Sequence, residues 1–369
     1  MDYDIPLMRP TLPQADVIMP YLAEIDSNRW YSNYGPLEQR LRSRFADMFT
    51  VDYQNIIMTS SGTLGLAMAL REASAGESGL CLMPSFTFVA SAHAAIAAGL
   101  SPFFLDVDPD SWTLDRNLVL EALEDLNQPV RAILAVAPFG APLDIDIWDE
   151  LAAKTGIPVV IDAAAGIDSA QAGQSPVVIS LHATKPLGIG EGGLIMCRDS
   201  NRAEALFQHG NFGFHKKRLA EGAGFNGKMS EYSAAVGHAA LDAWPDLRCR
   251  LRERAVQLRR ALSNVDGITL APGSETDFAK STFNVILRET SVEAAKVFMQ
   301  TQRIEVRQWW SRGCHREPAF ANAPKAELSV TNDLADRVLG LPFSIDLNAQ
   351  DIARIKLKLV EFIENTRAG

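Results

Sequence analysis

Short apolar segments alternate with amphipathic segments through the middle of the chain. The segments 102–107, 132–138 and 157–165 are rich in apolar and β-branched residues, and the segments 115–126 and 144–156 have helical spacing of their apolar residues. A short apolar run between turns is typical of a buried strand. Strands that are joined by helices pair in parallel through right-handed crossovers. The sequence therefore predicts a large α/β domain with a parallel sheet.

Lys185 lies in a glycine-rich turn between two further apolar segments, 177–181 and 193–197, which we interpret as core strands. A lysine beside glycines is most often an ordinary turn residue. Between two core strands, however, its amine would be partly desolvated, and desolvation lowers the pKa of an ammonium group. Because the neutral amine is a nucleophile, this position suits a lysine that forms a Schiff base.

Two other segments supply groups that would complement such a lysine. Asp162 ends a predicted strand, where a parallel sheet opens onto its ligand crevice. A carboxylate there can keep the ring nitrogen of a pyridine cofactor protonated. Ser61, Gly62 and Thr63 follow another strand and begin a helix, whose free N–H groups and dipole favour a phosphate. Together these groups predict a site for pyridoxal 5'-phosphate.

Seven segments resemble the DegT/DnrJ/StrS family of pyridoxal phosphate-dependent aminotransferases, and they extend over almost the whole chain. They are RWYSNYGP (29–36), SSGTLGL (60–66), PSFTFVASAHA (84–94), VIDAAA (160–165), SLHATKPLGIGEGG (180–193), GFNGKMSEYSAAVG (224–237) and CHREPAF (314–320). The most specific of them is the Ser-x-His-x-x-Lys run that closes in GEGG. The resemblance implies a fold of the aspartate aminotransferase type (fold type I).

The resemblance also implies two domains and a connection between them. The large cofactor-binding α/β domain, with the N-terminal segment, would occupy residues 1–249, and a small α+β domain would occupy residues 250–369. The sequence predicts one helix over 231–244 that ends before Pro245 and a second helix from 247 to about 263 that leads into the small domain.

Individual residues receive roles from the same resemblance. Lys185 would be the catalytic residue. The cofactor would be bound by Gly62, Thr63, Phe88, Asp162, Ser180, Lys185 and Asn226. Phe88 would stack on the pyridine ring, whereas Phe86 belongs to the core, and Asn226 would reach the phosphate in the site of a partner subunit. Contacts to the substrate are implied at Tyr34, His182, Arg307 and His315. From its position alone, a histidine on a strand turn such as His182 is more often a hydrogen-bonded structural residue.

The implied reaction moves an amino group from L-glutamate to a keto-sugar on a nucleotide diphosphate, in a homodimer with shared active sites that serves polysaccharide or natural product biosynthesis. Family members that dehydrate sugars have histidine in place of the lysine, so Lys185 favours transamination. Two alternatives stay open: transamination of another small ketone or cyclitol, and a non-catalytic sensor. Ala165 stands where the family usually has histidine or glutamine, and the stretch 162–180 is shorter than usual, which leaves cofactor geometry and substrate open.

Composition narrows the possible partners and setting. The formal net charge of −10 argues against nucleic acid or an anionic membrane as a partner. No apolar stretch is long enough for a membrane-spanning helix, and the acidic N-terminus lacks the pattern of a signal peptide. The four cysteines have no metal-ligand spacing. We therefore expect a cytoplasmic enzyme without a metal.

Overall fold

A seven-stranded sheet forms the centre of the larger part of the molecule. The computed structural model describes residues 3–215, 217–310 and 312–368. The strands are β1 (Ile56–Thr59), β2 (Leu80–Pro84), β3 (Ser101–Leu105), β4 (Val130–Val136), β5 (Val159–Asp162), β6 (Val177–Ser180) and β7 (Gly193–Met196). Their order across the sheet is β1-β7-β6-β5-β4-β2-β3.

Most of the sheet is parallel, which confirms the predicted α/β fold. β2 pairs in parallel with β3 and β4, and parallel pairing continues from β4 through β5 to β6. β7 is antiparallel to both β6 and β1. The chain between β6 and β7 contains no helix to carry it back across the sheet, and such a crossover is what parallel pairing requires. Because β5 and β6 pair in parallel, their C-terminal ends lie side by side.

Helices cover both faces of this sheet. They are α1 (Ala15–Asn28), α2 (Pro36–Phe49), α3 (Gly62–Ala73), α4 (Val89–Ala97), α5 (Arg116–Asp125), α6 (Ile145–Thr155), α7 (Ser200–Gly210) and α8 (Glu231–Leu262). In β6, Val177 and Ile179 belong to one buried cluster and Val178 belongs to another. Because neighbouring strand residues point to opposite faces, each face has its own apolar core.

The helix α8 corrects one prediction from the sequence. It is a single helix of 32 residues with Pro245 inside it, not two helices divided at that residue. Proline removes one backbone donor and crowds the preceding turn. Buried side chains on both sides of the proline, Trp244 before it and Leu251 and Leu258 after it, pack the helix against the core. This packing outweighs the local cost of the proline.

A second, antiparallel sheet of four strands follows α8. It contains β8 (Ile268–Leu270), β9 (Phe283–Leu287), β10 (Arg307–Gln308) and β11 (Val338–Leu341) in the order β10-β11-β9-β8. The helices α9 (Val292–Thr301), α10 (Ser329–Arg337) and α11 (Ala349–Ala368) accompany it. None of the helices in the described part of the chain is both long and apolar enough to cross a membrane.

The N-terminal segment lies against this second sheet. Ile5 forms a parallel bridge with Ile304, and Met8 forms one with Phe343. The predicted division at 249/250 falls inside α8, and it stays a prediction. The segment nevertheless packs with the C-terminal part of the chain, on the opposite side of that division from the domain to which the sequence assigned it.

Candidate active site

A cavity of about 460 Å³ opens where strands of the large sheet end. Val136, Asp162 and Ser180, the last residues of β4, β5 and β6, line it, and so does the start of α3. Arg307 of β10 and the next two aromatic residues, Trp309 and Trp310, form another wall. The carboxyl ends of parallel strands are where α/β sheets bind their ligands.

The carboxylate of Asp162 is buried and held by two donors. The Ser91 hydroxyl donates to Oδ2 over 2.7 Å, and the backbone N–H of Ala164 donates to Oδ1 over 3.0 Å. Burial raises the pKa of Asp162 above its usual value, although these bonds and the charge of Lys185 act in the opposite direction. A cationic ring nitrogen beside the carboxylate would favour its ionised form.

Lys185 faces the same cavity from the turn after β6. Its backbone N–H donates to the carbonyl of His182 over 2.8 Å, which fixes the turn. Burial lowers the pKa of the Lys185 ammonium group, and the negative charge of Asp162 only partly opposes this shift. The amine is thus biased towards its neutral, nucleophilic form, as a Schiff-base lysine requires.

The opposite end of the cavity has the features of a phosphate site. Gly62 and Thr63 contribute the first N–H groups of α3, which have no carbonyl partner within the helix. Gly62 lies directly against Ser180: a Cβ atom at position 62 would stand 2.8 Å from the Ser180 Cβ. Ser180 Oγ accepts the N–H of His182 over 3.2 Å, so its own O–H is left to donate to an anion.

Phe88 and Phe86 have different surroundings. Phe88 precedes α4, lines the cavity and is 60% exposed, so its ring is available to a ligand. Phe86 is completely buried among other aromatic rings, as the sequence predicted.

Of the four residues predicted to contact the substrate, His182 and Arg307 line the cavity. The N–H of Thr184 donates to Nδ1 of His182 over 3.2 Å, so in the neutral ring the proton is on Nε2. Nε2 lies 3.7 Å from Oε1 of Glu191, which also lines the cavity. The neutral ring of His182 therefore directs an N–H donor, not an acceptor, towards Glu191 and the cavity.

The other two, Tyr34 and His315, lie outside the lining of the cavity in their own chain. The ring of Tyr34 packs on Phe207, with 4.6 Å between the ring centroids. His315 Nδ1 is 2.7 Å from Ser85 Oγ, and Arg316 Nε is 3.3 Å from His315 Nε2. Arg316 is a donor, so Nε2 accepts and Nδ1 donates to Ser85. The predicted roles of both residues stay predictions.

Asn226 also lies away from the cavity of its own chain. Its Oδ1 accepts from Nζ of Lys228 over 2.6 Å, and its backbone pairs with Asn211. The side chain is exposed, so a role in the site of another subunit stays a prediction as well.

A sequence model of the DegT/DnrJ/EryC1/StrS aminotransferase family matches residues 14–360. The chain belongs to this family. Protein Rv3402c of Mycobacterium tuberculosis is 32% identical over 367 residues, which are 95% of this chain and 88% of that protein. The dTDP-4-amino-4,6-dideoxy-D-glucose transaminase of Escherichia coli is 27% identical, with coverages of 96% and 97%.

Solved structures of two related proteins have the same fold as this chain. The structure of DesI in the presence of its TDP-sugar product is 28% identical, with a TM-score of 0.89 and coverages of 100% of this chain and 95% of that one. DesV from Streptomyces venezuelae is 27% identical, with a TM-score of 0.83 and coverages of 96% and 99%. The predicted family, fold type and enzyme class are confirmed.

Members of the DegT/DnrJ/EryC1/StrS family depend on pyridoxal phosphate, so the predicted cofactor is confirmed too. The described residues fit it. The amine of Lys185, the buried carboxylate of Asp162 and the exposed ring of Phe88 share one cavity with the start of α3 and Ser180. Because Gly62 has no Cβ atom, the start of α3 can lie directly against Ser180, which brings the N–H groups and the hydroxyl that would hold the phosphate together. No metal-binding group of His, Cys, Asp and Glu occurs among the residues that the structure describes.

Several residues of the aminotransferase site were missed from the sequence. Ser91, which binds Asp162, gave no signal within its alanine-rich helix. Phe139 stacks on Trp310 with 4.1 Å between centroids and 7° between planes, and both line the cavity with Trp309. The adjacent tryptophans could have indicated a binding surface, whereas Phe139 could not, because it approaches from a distant segment.

Proposed function

We propose that the enzyme transfers an amino group from L-glutamate to a keto-sugar carried on a nucleotide diphosphate. The observation that carries the proposal is the convergence of Lys185, Asp162 and the phosphate site at Gly62 and Ser180 in one cavity. That cavity continues past these groups to the aromatic residues beside Arg307, so it has room for a substrate as well as a cofactor.

Relatives support the nucleotide-sugar substrate. Besides the Escherichia coli transaminase, the UDP-2-acetamido-2-deoxy-3-oxo-D-glucuronate aminotransferase of Pseudomonas aeruginosa is 27% identical over 330 residues. The names of both proteins describe sugars on nucleotide diphosphates, although the sugars and nucleotides differ. The class of substrate is therefore proposed here without a particular sugar, and its product would serve polysaccharide or natural product biosynthesis.

The residues of the chain have distinct tasks in this reaction. When bound, pyridoxal phosphate supplies an electron sink for the negative charge that develops on the reacting carbon. Asp162 holds the proton on the ring nitrogen. The neutral Nζ of Lys185 takes the proton from the α-carbon of glutamate, and in the second half-reaction it returns a proton to the sugar carbon. The N–H groups of α3 and the Ser180 hydroxyl hold the phosphate.

We infer that the enzyme acts as a homodimer. Asn226 and Tyr34 lie outside the cavity of their own chain, which supports a role for them in the cavity of a second copy. Exposed aromatic side chains occur nearby in sequence, such as Tyr31, whose ring stacks on Tyr232 at 6.3 Å. The proposed substrates and the four free cysteines support a reduced, cytoplasmic setting.

The test begins with absorbance spectra of the wild type and the Lys185→Ala and Lys154→Ala variants, before and after addition of L-glutamate. We expect glutamate to convert the cofactor band in the wild type and in Lys154→Ala, which alters an exposed residue on α6, but not in Lys185→Ala. Keto-sugars on dTDP, UDP and GDP are then compared with small ketones and cyclitol ketones as acceptors. Amination of only the small ketones would replace the proposed substrate, and an unchanged band would reject glutamate as the donor.

A further inference from the structure

A second groove lies beside the active-site cavity and shares Arg307 with it. It measures about 510 Å³ and runs between α9 and the segment 312–317. Four cationic and two anionic side chains line it: Lys296, Arg307, Arg312, Arg316, Glu293 and Glu317. In a chain whose net charge is −10, this excess of positive charge is a local feature. A basic groove at the mouth of a cavity attracts anionic ligands.

Among the described residues, the three arginines of this groove form no hydrogen bond to a carboxylate. Arg312 makes no hydrogen bond or ion pair with any residue in the described ranges. The Arg316 guanidinium contacts a neutral amide, with 2.9 Å between its Nη2 and Oδ1 of Asn332. The nearest carboxylate oxygen of Arg307 is Oε1 of Glu305 at 3.6 Å, and the other oxygen of that carboxylate accepts the N–H of Leu7.

The lysine of the groove is different, because its charge is already balanced. Lys296 Nζ lies 2.8 Å from Oε2 of Glu293. Lys296 is the main cause that lowers the pKa of Glu293, and the charge of Arg312 contributes only weakly, so this carboxylate is paired with Lys296. The remaining positive charge of the groove is therefore concentrated on its guanidinium groups.

We propose that this groove binds the diphosphate of the nucleotide sugar, with Arg312 and Arg316 as its main ligands and Arg307 at the junction with the cavity. The inference rests on the proposed function. A guanidinium group presents a planar fork of donors that matches the oxygens of a phosphate. Trp309 supports this position of Arg307, whose Cζ lies 5.1 Å from the centroid of the indole ring. A sugar attached to the diphosphate then extends from Arg307 into the cavity towards Lys185.

A different basic segment offers the competing location. Lys217 and Arg218 lie in the exposed stretch between α7 and α8, outside both the groove and the cavity. If a partner subunit supplied the diphosphate site, these residues would be its candidates. The experiment must therefore compare two pairs of basic residues.

The experiment uses the purified holoenzyme in the oligomeric state that it has in solution. The double variant Arg312→Ala/Arg316→Ala is compared with Lys217→Ala/Arg218→Ala and with Arg116→Ala/Arg260→Ala, two exposed arginines on α5 and α8. The KM and kcat for the accepted keto-sugar nucleotide are measured, and calorimetry gives the Kd values of dTDP, UDP, GDP and inorganic pyrophosphate. The glutamate half-reaction, which needs no nucleotide, reports whether each variant is folded and loaded with cofactor.

For the Arg312/Arg316 variant we expect KM and the Kd of the preferred nucleoside diphosphate to rise about tenfold or more, because charge-assisted phosphate contacts are lost. A smaller effect on kcat and a weaker dependence on salt should accompany this change. KM and Kd values of the Arg312/Arg316 variant within twofold of the wild type would overturn the proposal. A tenfold rise that occurs in the Lys217/Arg218 variant and not in the Arg312/Arg316 variant would overturn it as well.

Calorimetry also separates this inference from the proposed function. If the wild type aminates no nucleotide sugar but binds a nucleoside diphosphate through Arg312 and Arg316, the groove stands and the proposed reaction fails. If the wild type aminates nucleotide sugars but the Arg312/Arg316 variant binds nucleoside diphosphates normally, the reaction stands and the groove fails. If the wild type binds no nucleoside diphosphate, the groove is rejected.

Discussion

The hydroxyl of Ser91 on α4 donates a hydrogen bond of 2.7 Å to Oδ2 of Asp162 at the end of β5. Both side chains are buried, and Oγ1 of Thr87 lies 3.0 Å from the same hydroxyl. Here a side chain from another element orients the carboxylate, so Ser91 is a positioning residue that acts through Asp162.

Replacement of Ser91 by alanine should weaken the hold of Asp162 on the ring nitrogen. The lost hydrogen bond stabilises the ionised carboxylate, so its removal raises the pKa of Asp162 further. We expect the glutamate half-reaction to slow about tenfold, which corresponds to one charged hydrogen bond. Ser91→Thr, which retains a hydroxyl, should remain within about threefold of the wild type.

Two measurements check this prediction: the rate of the half-reaction as a function of pH, and an absorbance titration of the bound cofactor. A role in packing alone would lower stability without moving either pH profile. Identical profiles for Ser91→Ala and the wild type would show that the hydroxyl does not position Asp162.

Replacement of Gly62 by alanine should reduce the affinity for pyridoxal phosphate. The new methyl group would stand 2.8 Å from the Cβ and 3.1 Å from the Cα of Ser180, and the latter belongs to the backbone of a buried strand. The start of α3 must therefore shift away from Ser180, which separates the two groups that we propose hold the phosphate. We expect the Kd of the cofactor to rise about tenfold or more.

Titration of the cofactor-free protein with pyridoxal phosphate measures this Kd. Gly222→Ala is the matched control, because apart from its chain neighbours no described residue has an atom within 4 Å of the added methyl group. An unchanged Kd in Gly62→Ala would mean that α3 and Ser180 do not bind the phosphate jointly.

The cofactor end of this site was predictable because it depends on local order along the chain. Asp162 and Ser180 end adjacent strands, and Gly62 begins the helix after another strand, so the rules of parallel sheets bring them to one edge. The glycine-rich turn that contains Lys185 is equally local. These positions follow from strand ends, whatever the rest of the molecule does.

The substrate end was less predictable because it depends on contacts between distant segments. Trp310 and Phe139 are 171 positions apart in sequence and stack in the cavity wall. Ser91 reaches Asp162 from a helix whose composition indicates only packing. The same limit explains the error at Pro245: proline breaks helices locally, whereas the burial that keeps α8 continuous is tertiary.

Replacement of Asp168 by alanine should destabilise the enzyme. The side chain of Asp168, in the short stretch 162–180, is almost completely buried and forms ion pairs with Arg248 and Arg252 of α8, the latter at 2.9 Å. It also accepts the N–H of Ala279 over 2.6 Å. Removal of the carboxylate leaves Arg248 and Arg252 without this ion-pair partner. We therefore expect a loss of about 3 kcal/mol in the free energy of unfolding.

Chemical denaturation checks this loss. The control is Asp246→Ala, which removes the exposed partner of Arg250 on the same helix, 3.7 Å away. That exposed pair should contribute less than about 1 kcal/mol. Equal effects of the two substitutions would argue that the 162–180 stretch is not anchored by Asp168.

Glu38 should make the stability of the enzyme depend on pH near neutrality. Its side chain is 1% exposed, its Oε2 has no hydrogen-bond partner among the described residues, and Glu231 lies close to it. Burial, and then the charge of Glu231, raise the pKa of Glu38 from 4.5 to about 7, although Arg42 opposes the shift. Between these two values the folded protein retains a proton that the unfolded chain releases.

The sign of the effect follows from this proton. The contribution of Glu38 to stability is complete below about pH 4.5 and is lost as the pH rises through about 7. Glu38→Gln stays neutral, so it should gain about 1 to 3 kcal/mol relative to the wild type between about pH 5 and pH 8. Urea unfolding at a series of pH values measures this difference. The control Glu124→Gln, at an exposed position of α5, should run parallel to the wild type. A parallel curve for Glu38→Gln as well would show that Glu38 is ionised in the folded enzyme throughout this range.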